Sequence, residues 1–146
     1  MTEQVLLSLA WLGGNVLDGL TTYLGIFKVP LSLRSEEFNP LFKKHIYSHF
    51  SKVMLFKIIG TVGLLIWIWS WETSSDKILS LRIISIAMGF VVLNNSYIYL
   101  SKKIRKKMVM TPGVFLVKTC HLPRIIAFLV LAVIISLASY GISVSI

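Results

Sequence analysis

Residues 5–27 read VLLSLAWLGGNVLDGLTTYLGIF, and the fold turns on how that stretch is taken. Its length suits the ~20 residues a helix needs to cross a ~30 Å hydrocarbon layer. Its interior, however, carries Asn15 and Asp18, groups that hydrocarbon rejects unless they find partners. A secretory signal peptide wants a positive start and an uninterrupted apolar middle. The leader Met1-Thr2-Glu3-Gln4 has no basic residue, so the stretch reads as a permanent membrane helix.

Three further apolar stretches follow, at about 52–71, 78–100 and 123–145 of the 146 residues. The chain is 55% hydrophobic and 14% charged, against roughly 25% charged in an ordinary soluble domain. That deficit excludes disorder and argues against a water-soluble globule. What lies between the spans is too short for a separate soluble domain. The expectation is therefore all-α: residues 1–146 as a single transmembrane domain, an integral-membrane bundle of four transmembrane helices.

The net charge of +9 does not imply nucleic acid, because the basic residues sit in the turns between apolar spans and not on a recognition module. They report orientation instead, since Lys and Arg resist translocation. Lys28, Arg34, Lys43, Lys44 and Lys52 follow the first span; Lys102, Lys103, Arg105, Lys106, Lys107, Lys118 and Arg124 follow the third. The other side has only Lys77 and Arg82. Both termini are then expected on the outer side of the cell membrane and both longer loops in the cytoplasm. Trp67, Trp69 and Trp71 agree, because they cluster where the second span reaches the outer interface, a layer that indole rings favour.

Local signals refine the boundaries. Asn39-Pro40 combines a capping side chain with a residue suited to the first helical position, so the second helix is expected to start at Pro40 and to run along the membrane surface over about 40–51. Pro123 is expected to start the fourth helix, and Thr111-Pro112-Gly113 reads as a turn.

The chemistry lies in the polar residues inside the spans. Asn15, Asp18, Thr22 and Gly25 are three or four apart and share one helix face, which cannot point at lipid. A mid-span aspartate costs about 2.5 to 3.5 kcal/mol on insertion scales, and Lys57 in the second span incurs a similar cost. At about 1.5 Å per residue, Asp18 lies about 13 Å from the cytoplasmic end of its span, and Lys57, Asn94 and Asn95 lie about 8 to 9 Å from theirs. One leaflet holds all four. Lysine's flexible stem can close the remaining gap, with Tyr97 supplying a further hydrogen-bonding group. One reading is a structural ion pair that fixes helix packing, helped by Gly13, Gly14, Gly19 and Gly25. The other is a cytoplasm-facing polar pocket for an ion, a small solute or a lipid head group, which the number of polar groups favours.

The series Asn15-x-x-Asp18-x-x-x-Thr22, then Gly25, then Glu37-x-Asn39-Pro40, then Lys57 resembles a family of small bacterial and archaeal multi-span membrane proteins known as a domain of unknown function. The resemblance covers about residues 10–65 and extends weakly to Asn94 and Asn95. It implies that Asn15, Asp18, Thr22, Glu37, Asn39, Pro40 and Lys57 form a shared site, and it brings no activity with it.

Weaker signals remain. His45 and His49 have a spacing that can share a metal, but Lys43 and Lys44 would repel a cation. No haem-holding histidine lies within a span, and the single Cys120 excludes an internal disulfide or a Cys-pair centre, so no cofactor is expected. Cys120 beside His121 is poor evidence for a nucleophile. The run Lys102-Lys103-Ile104-Arg105-Lys106-Lys107 anchors topology and could also recruit anionic lipids. Three functional classes survive: binding or transport, which in so small a bundle calls for a homo-oligomer or a larger partner; an accessory or assembly subunit of a membrane complex; and an enzyme acting on lipids or isoprenoids. The residues name no reaction.

Overall fold

A computed structural model describes residues 2–29, 49–105 and 111–145. Those residues form five helices: α1 (Glu3–Phe27), α2 (Phe50–Trp69), α3 (Ser74–Arg105), α4 (Pro112–Lys118) and α5 (Arg124–Ser145). By length and composition α1, α2, α3 and α5 can each cross a membrane. The architecture is all-α.

Helix boundaries follow from local chemistry. α2 begins at Phe50 because His49 before it has a non-helical backbone, φ −136° and ψ 41°. The helix start expected at Pro40 lies outside the described residues. Thr111-Pro112-Gly113 is a correction: it opens a helix and not merely a turn. The Thr111 hydroxyl accepts from Val114 N–H at 3.2 Å and Pro112 takes the first helical position, the capping pattern that Thr followed by Pro specifies. α4 ends in a turn where His121 adopts the left-handed region at φ 54°, and Leu122 N–H reaches back to the Leu116 carbonyl.

α3 overruns its expected 78–100 at both ends and reaches 32 residues, about 48 Å at the α-helical rise. No Gly or Pro follows Gly89 to stop it. Asp76 in its first turn and Lys102 and Lys103 near its last complement the helix dipole. That is longer than the ~30 Å thickness of a hydrocarbon layer.

The most extensive interface is between α1 and α3, with α5 packed against α3 and α4 against α5; α2 touches α1 and α3 more lightly. α1 and α3 run parallel. Arg82 donates to Glu3 through Nε at 2.8 Å and Nη2 at 2.6 Å, Ser85 Oγ donates to the Leu7 carbonyl at 3.1 Å, and Asn95 reaches Asp18 further along. At Gly14 the Met88 side chain fills the space of a side chain: a Cβ there would lie 2.5 Å from Met88 Cγ. α5 runs antiparallel to α3, with Arg82 Nη1 donating to the Ser143 carbonyl at 3.5 Å. Between α2 and α3 lies an apolar groove of about 180 Å³, bordered by Leu64, Trp67, Ile68, Ile83 and Ile84.

The interior is as polar as it is apolar, with Trp11, Ile26, Val53, Ile68, Leu81 and Ala127 among the buried hydrophobic residues. The buried residues include Ser8, Asp18, Thr61, Ser101, Lys102, Ser139 and Ser143, whereas Phe56, Ile58, Ile59 and Ile66 on α2 and Ile125, Leu129, Val133 and Leu137 on α5 are exposed. Water would not tolerate so much contiguous apolar surface. The buried serines of α5 are satisfied within their own helix: Ser139 donates to the Ile135 carbonyl at 2.7 Å and Ser143 to that of Tyr140 at 2.8 Å.

Candidate functional site

Asp18 sits nine residues before the end of α1 and is buried, on a face that meets both α2 and α3. Its two carboxylate oxygens are engaged separately. Lys57 Nζ of α2 donates to Oδ2, and Asn95 Nδ2 of α3 donates to Oδ1 at 2.6 Å. The same Asn95 amide lies 3.4 Å from Thr22 Oγ1, one turn along α1. The carboxylate is therefore neutralised from one neighbouring helix and oriented from the other, in the arrangement that a buried charge requires.

The contact with Lys57 belongs to a longer polar seam between α1 and α2. Thr61 Oγ1 donates to Asn15 Oδ1 at 3.2 Å, and Trp69 Nε1 donates to Ser8 Oγ at 3.1 Å. Paired positions rise on α1 as they fall on α2, which is the register of two antiparallel helices. Asn15 also donates to the Trp11 carbonyl at 2.9 Å, so its amide is satisfied at both ends. Beyond Asp18 the seam turns apolar: Met54 packs against Gly19, and Tyr23, Phe27 and Phe50 meet with ring centroids 5.1 to 5.6 Å apart.

The geometry separates residues that sequence depth alone grouped together. Asn95 joins the junction, whereas Asn94 is exposed and makes only a long 3.5 Å contact with Asn95. Neighbours on a helix are turned about 100° apart and cannot both face one groove. Tyr97 is exposed as well. Asn15, Asp18, Thr22, Lys57 and Asn95 are thus brought together. Glu37, Asn39, Pro40 and His45 lie outside the described residues. His49 is exposed at the start of α2, and no cluster of three or more metal-ligating side chains occurs among the described residues.

Three participants were not foreseen. Thr61 lies one turn beyond Lys57 and Ser8 lies two turns before Asn15, each on the face already singled out. That periodicity was the available signal. Trp69 carried none, because its indole N–H suits an interfacial layer equally well.

Four span-capable helices with a charged junction shared by three of them define the chain as a small, polytopic, all-helical protein of the membrane type. It belongs to the family described as a domain of unknown function (DUF5658), whose sequence profile matches residues 9–101. The matched stretch takes in α1 from Leu9 onward, the whole of α2 and α3 as far as Ser101, and so contains Asp18, Lys57 and Asn95; α4 and α5 fall beyond it. No curated protein and no solved structure matches the chain.

Proposed function

We propose that this is a multi-pass protein of the cell membrane, with its termini outside, whose junction of α1, α2 and α3 is a binding or transport site for a small ion, a solute or a lipid head group. The observation that supports this reading most is the division of labour at Asp18. Its carboxylate is held by two separate donors on two separate helices, and Lys57 is the more accessible partner, with its side chain 22% exposed against 10% for Asp18. A cationic group that reaches the junction can replace Lys57 at the carboxylate, while an anionic group can draw the ammonium away on its flexible stem. The first exchange frees the Lys57 ammonium to reach toward the interface, the second leaves the carboxylate held by the Asn95 amide, and α2 is the lightly packed helix that can move to admit either. The closed pair is the resting arrangement.

The same closed pair favours a second reading, a clamp that holds three helices for assembly with other membrane subunits. Charge reversal separates the two. Asp18→Lys combined with Lys57→Asp retains attraction between α1 and α2, so a clamp keeps its function, whereas a site that recognises one sign of charge at one position loses it. In reconstituted vesicles, flux of a panel of ions and small solutes is expected to fall in Asp18→Asn and in the reversed pair. Native flux in both variants would remove the transport reading.

Topology has its own test. Cys120 is the only cysteine and is exposed in the turn between α4 and α5, on the side assigned to the cytoplasm. A membrane-impermeant maleimide is expected to leave it unmodified in intact cells and to label it in inverted vesicles. Labelling of intact cells would reverse the orientation.

A further inference from the structure

The two neighbouring asparagines of α3 are treated differently by the fold. Asn95 donates to Asp18 and Thr22, whereas Asn94 is exposed and makes one contact among the described residues, donating to Asn95 Oδ1 at 3.5 Å. Its own amide oxygen receives nothing. The stretch between Arg82 and Lys102 contains no charged residue, and Asn94 lies about 18 Å along the helix from the first and about 12 Å from the second. That places an unmatched amide among acyl chains, which offer it neither donor nor acceptor.

Asn94 borders an open face of the same helix. Phe90, Leu93, Tyr97, Leu100 and Ile104 are all exposed, from 39% at Phe90 to 73% at Ile104. Their spacings alternate between three and four residues, the seam along which two helices pack with a left-handed crossing. Asn94 follows Leu93 on one edge of the seam, and Gly89 precedes Phe90 on the other. Gly89 is exposed, with no atom within 4 Å of where a Cβ would stand. α2 provides the contrast: its exposed residues between Leu55 and Trp67 are all apolar, as contact with lipid alone requires.

The two edges complement each other across a two-fold axis. Two copies inserted with one orientation present parallel α3 helices at equal depth. In a parallel pair, the residue just after a seam position faces the residue just before a seam position of the other helix, five places earlier in number. Five places before Asn94 is Gly89. The amide that lacks a partner is thereby set against helix backbone that no side chain shields, where a carbonyl retains a second lone pair. Symmetry makes the contact twice.

We propose that the open face of α3 from Phe90 to Ile104 is where a second copy of this chain docks, with Asn94 of each copy hydrogen-bonded to the backbone at Gly89 of the other. A different membrane subunit would have to bring a polar group to the same depth, whereas a second copy does so by construction. The inference rests on the multi-pass reading of the chain and not on the role of the junction. Because Asn95 adjoins Asn94, pairing brings the two Asp18 junctions close to the shared axis.

The test uses the full chain in phosphatidylcholine vesicles over a range of protein-to-lipid ratios. Donor and acceptor dyes on Cys120, the single cysteine and an exposed one, report pairing by energy transfer. Asn94→Leu and Gly89→Leu are each expected to raise the dissociation constant about tenfold, and Asn94→Gln to stay near native. Both positions are open in the single chain, so the unfolding midpoint at high lipid dilution is expected to hold in all three. In a Cys120→Ser background, oxidation is expected to join Leu93→Cys chains into a product of twice the mass, and to join Leu129→Cys chains, exposed on α5, only at the level of chance collision. Equal joining at the two positions, or native energy transfer in Asn94→Leu and Gly89→Leu, would overturn the proposal. A chain that floats with the vesicles yet stays monomeric at every ratio would overturn it and leave the multi-pass reading intact; a chain that fails to float would overturn both. In native membranes, a Leu93→Cys product of another mass without the dimer would give the face to a different subunit and overturn it as well.

Discussion

Lys57→Met lowers the unfolding free energy by about 3 to 5 kcal/mol, the range found when one partner of a buried ion pair is removed, and it does so more severely than Asp18→Asn. The asymmetry follows from side-chain reach. Losing Lys57 strands a carboxylate on a one-carbon stem about 13 Å from the end of α1, with only the Asn95 amide to hold it. Losing the Asp18 charge strands an ammonium on a four-carbon stem seven residues from the start of α2, where it can reach toward the interface. In addition, Asn at position 18 keeps an acceptor oxygen for Asn95. The combined Asp18→Asn, Lys57→Met variant buries no charge and is expected to recover most of the loss, since replacing both members of a buried pair is often close to neutral. Reversible unfolding in mixed detergent micelles supplies all four free energies of the cycle. A double variant as unstable as Lys57→Met would show that the ion pair is not what the single substitution removes.

Gly14→Leu carries the second large effect, and its neighbour provides the control. A Cβ at Gly14 would lie 2.5 Å from Met88 Cγ and 3.4 Å from Met88 Cβ, so even alanine forces the methionine to turn. Alanine would recover roughly 0.5 to 1 kcal/mol of helix propensity, which offsets part of an overpacking cost of about 1 to 3 kcal/mol. Leucine has no such balance. It must part α1 from α3 where Met88 fills the space at Gly14, one turn before Asp18, and so stretches the Asn95 to Asp18 bond as well. At Gly13 nothing lies within 4 Å of a Cβ, and Gly13→Leu is expected to be neutral or slightly stabilising. The same micelle titration compares the two; a Gly13→Leu loss equal to that of Gly14→Leu would mean that the packing at Met88 is not the cause.

The helices were legible because apolar length is a one-dimensional property that a linear sequence states directly. Counting residues from the span ends likewise put Asp18, Lys57, Asn94 and Asn95 in one leaflet. Depth could not choose between Asn94 and Asn95, because that choice depends on how α3 is rotated against α1, which is set by the Gly14–Met88 approach and the Arg82–Glu3 and Ser85–Leu7 contacts. Lys102 illustrates the same limit. In sequence it is one of five basic residues in a six-residue run, and only burial distinguishes it from Lys103. The start of α4 was available but misread, since Thr-Pro-Gly serves a turn and a capped helix equally well until the following residues are seen to pack on α5.

The 39 residues that separate Asp18 from Lys57 also impose an order on biosynthesis. A ribosome adding about 5 to 20 residues per second takes roughly 2 to 8 s to pass from the acid to the base. During that interval α1 must lodge in or beside the translocon with a naked carboxylate, and Asn95 arrives later still. The first helix is thus a poor self-inserting segment whose residence in the bilayer is secured retroactively by the second, and the hairpin, more than the single helix, is the natural unit of insertion.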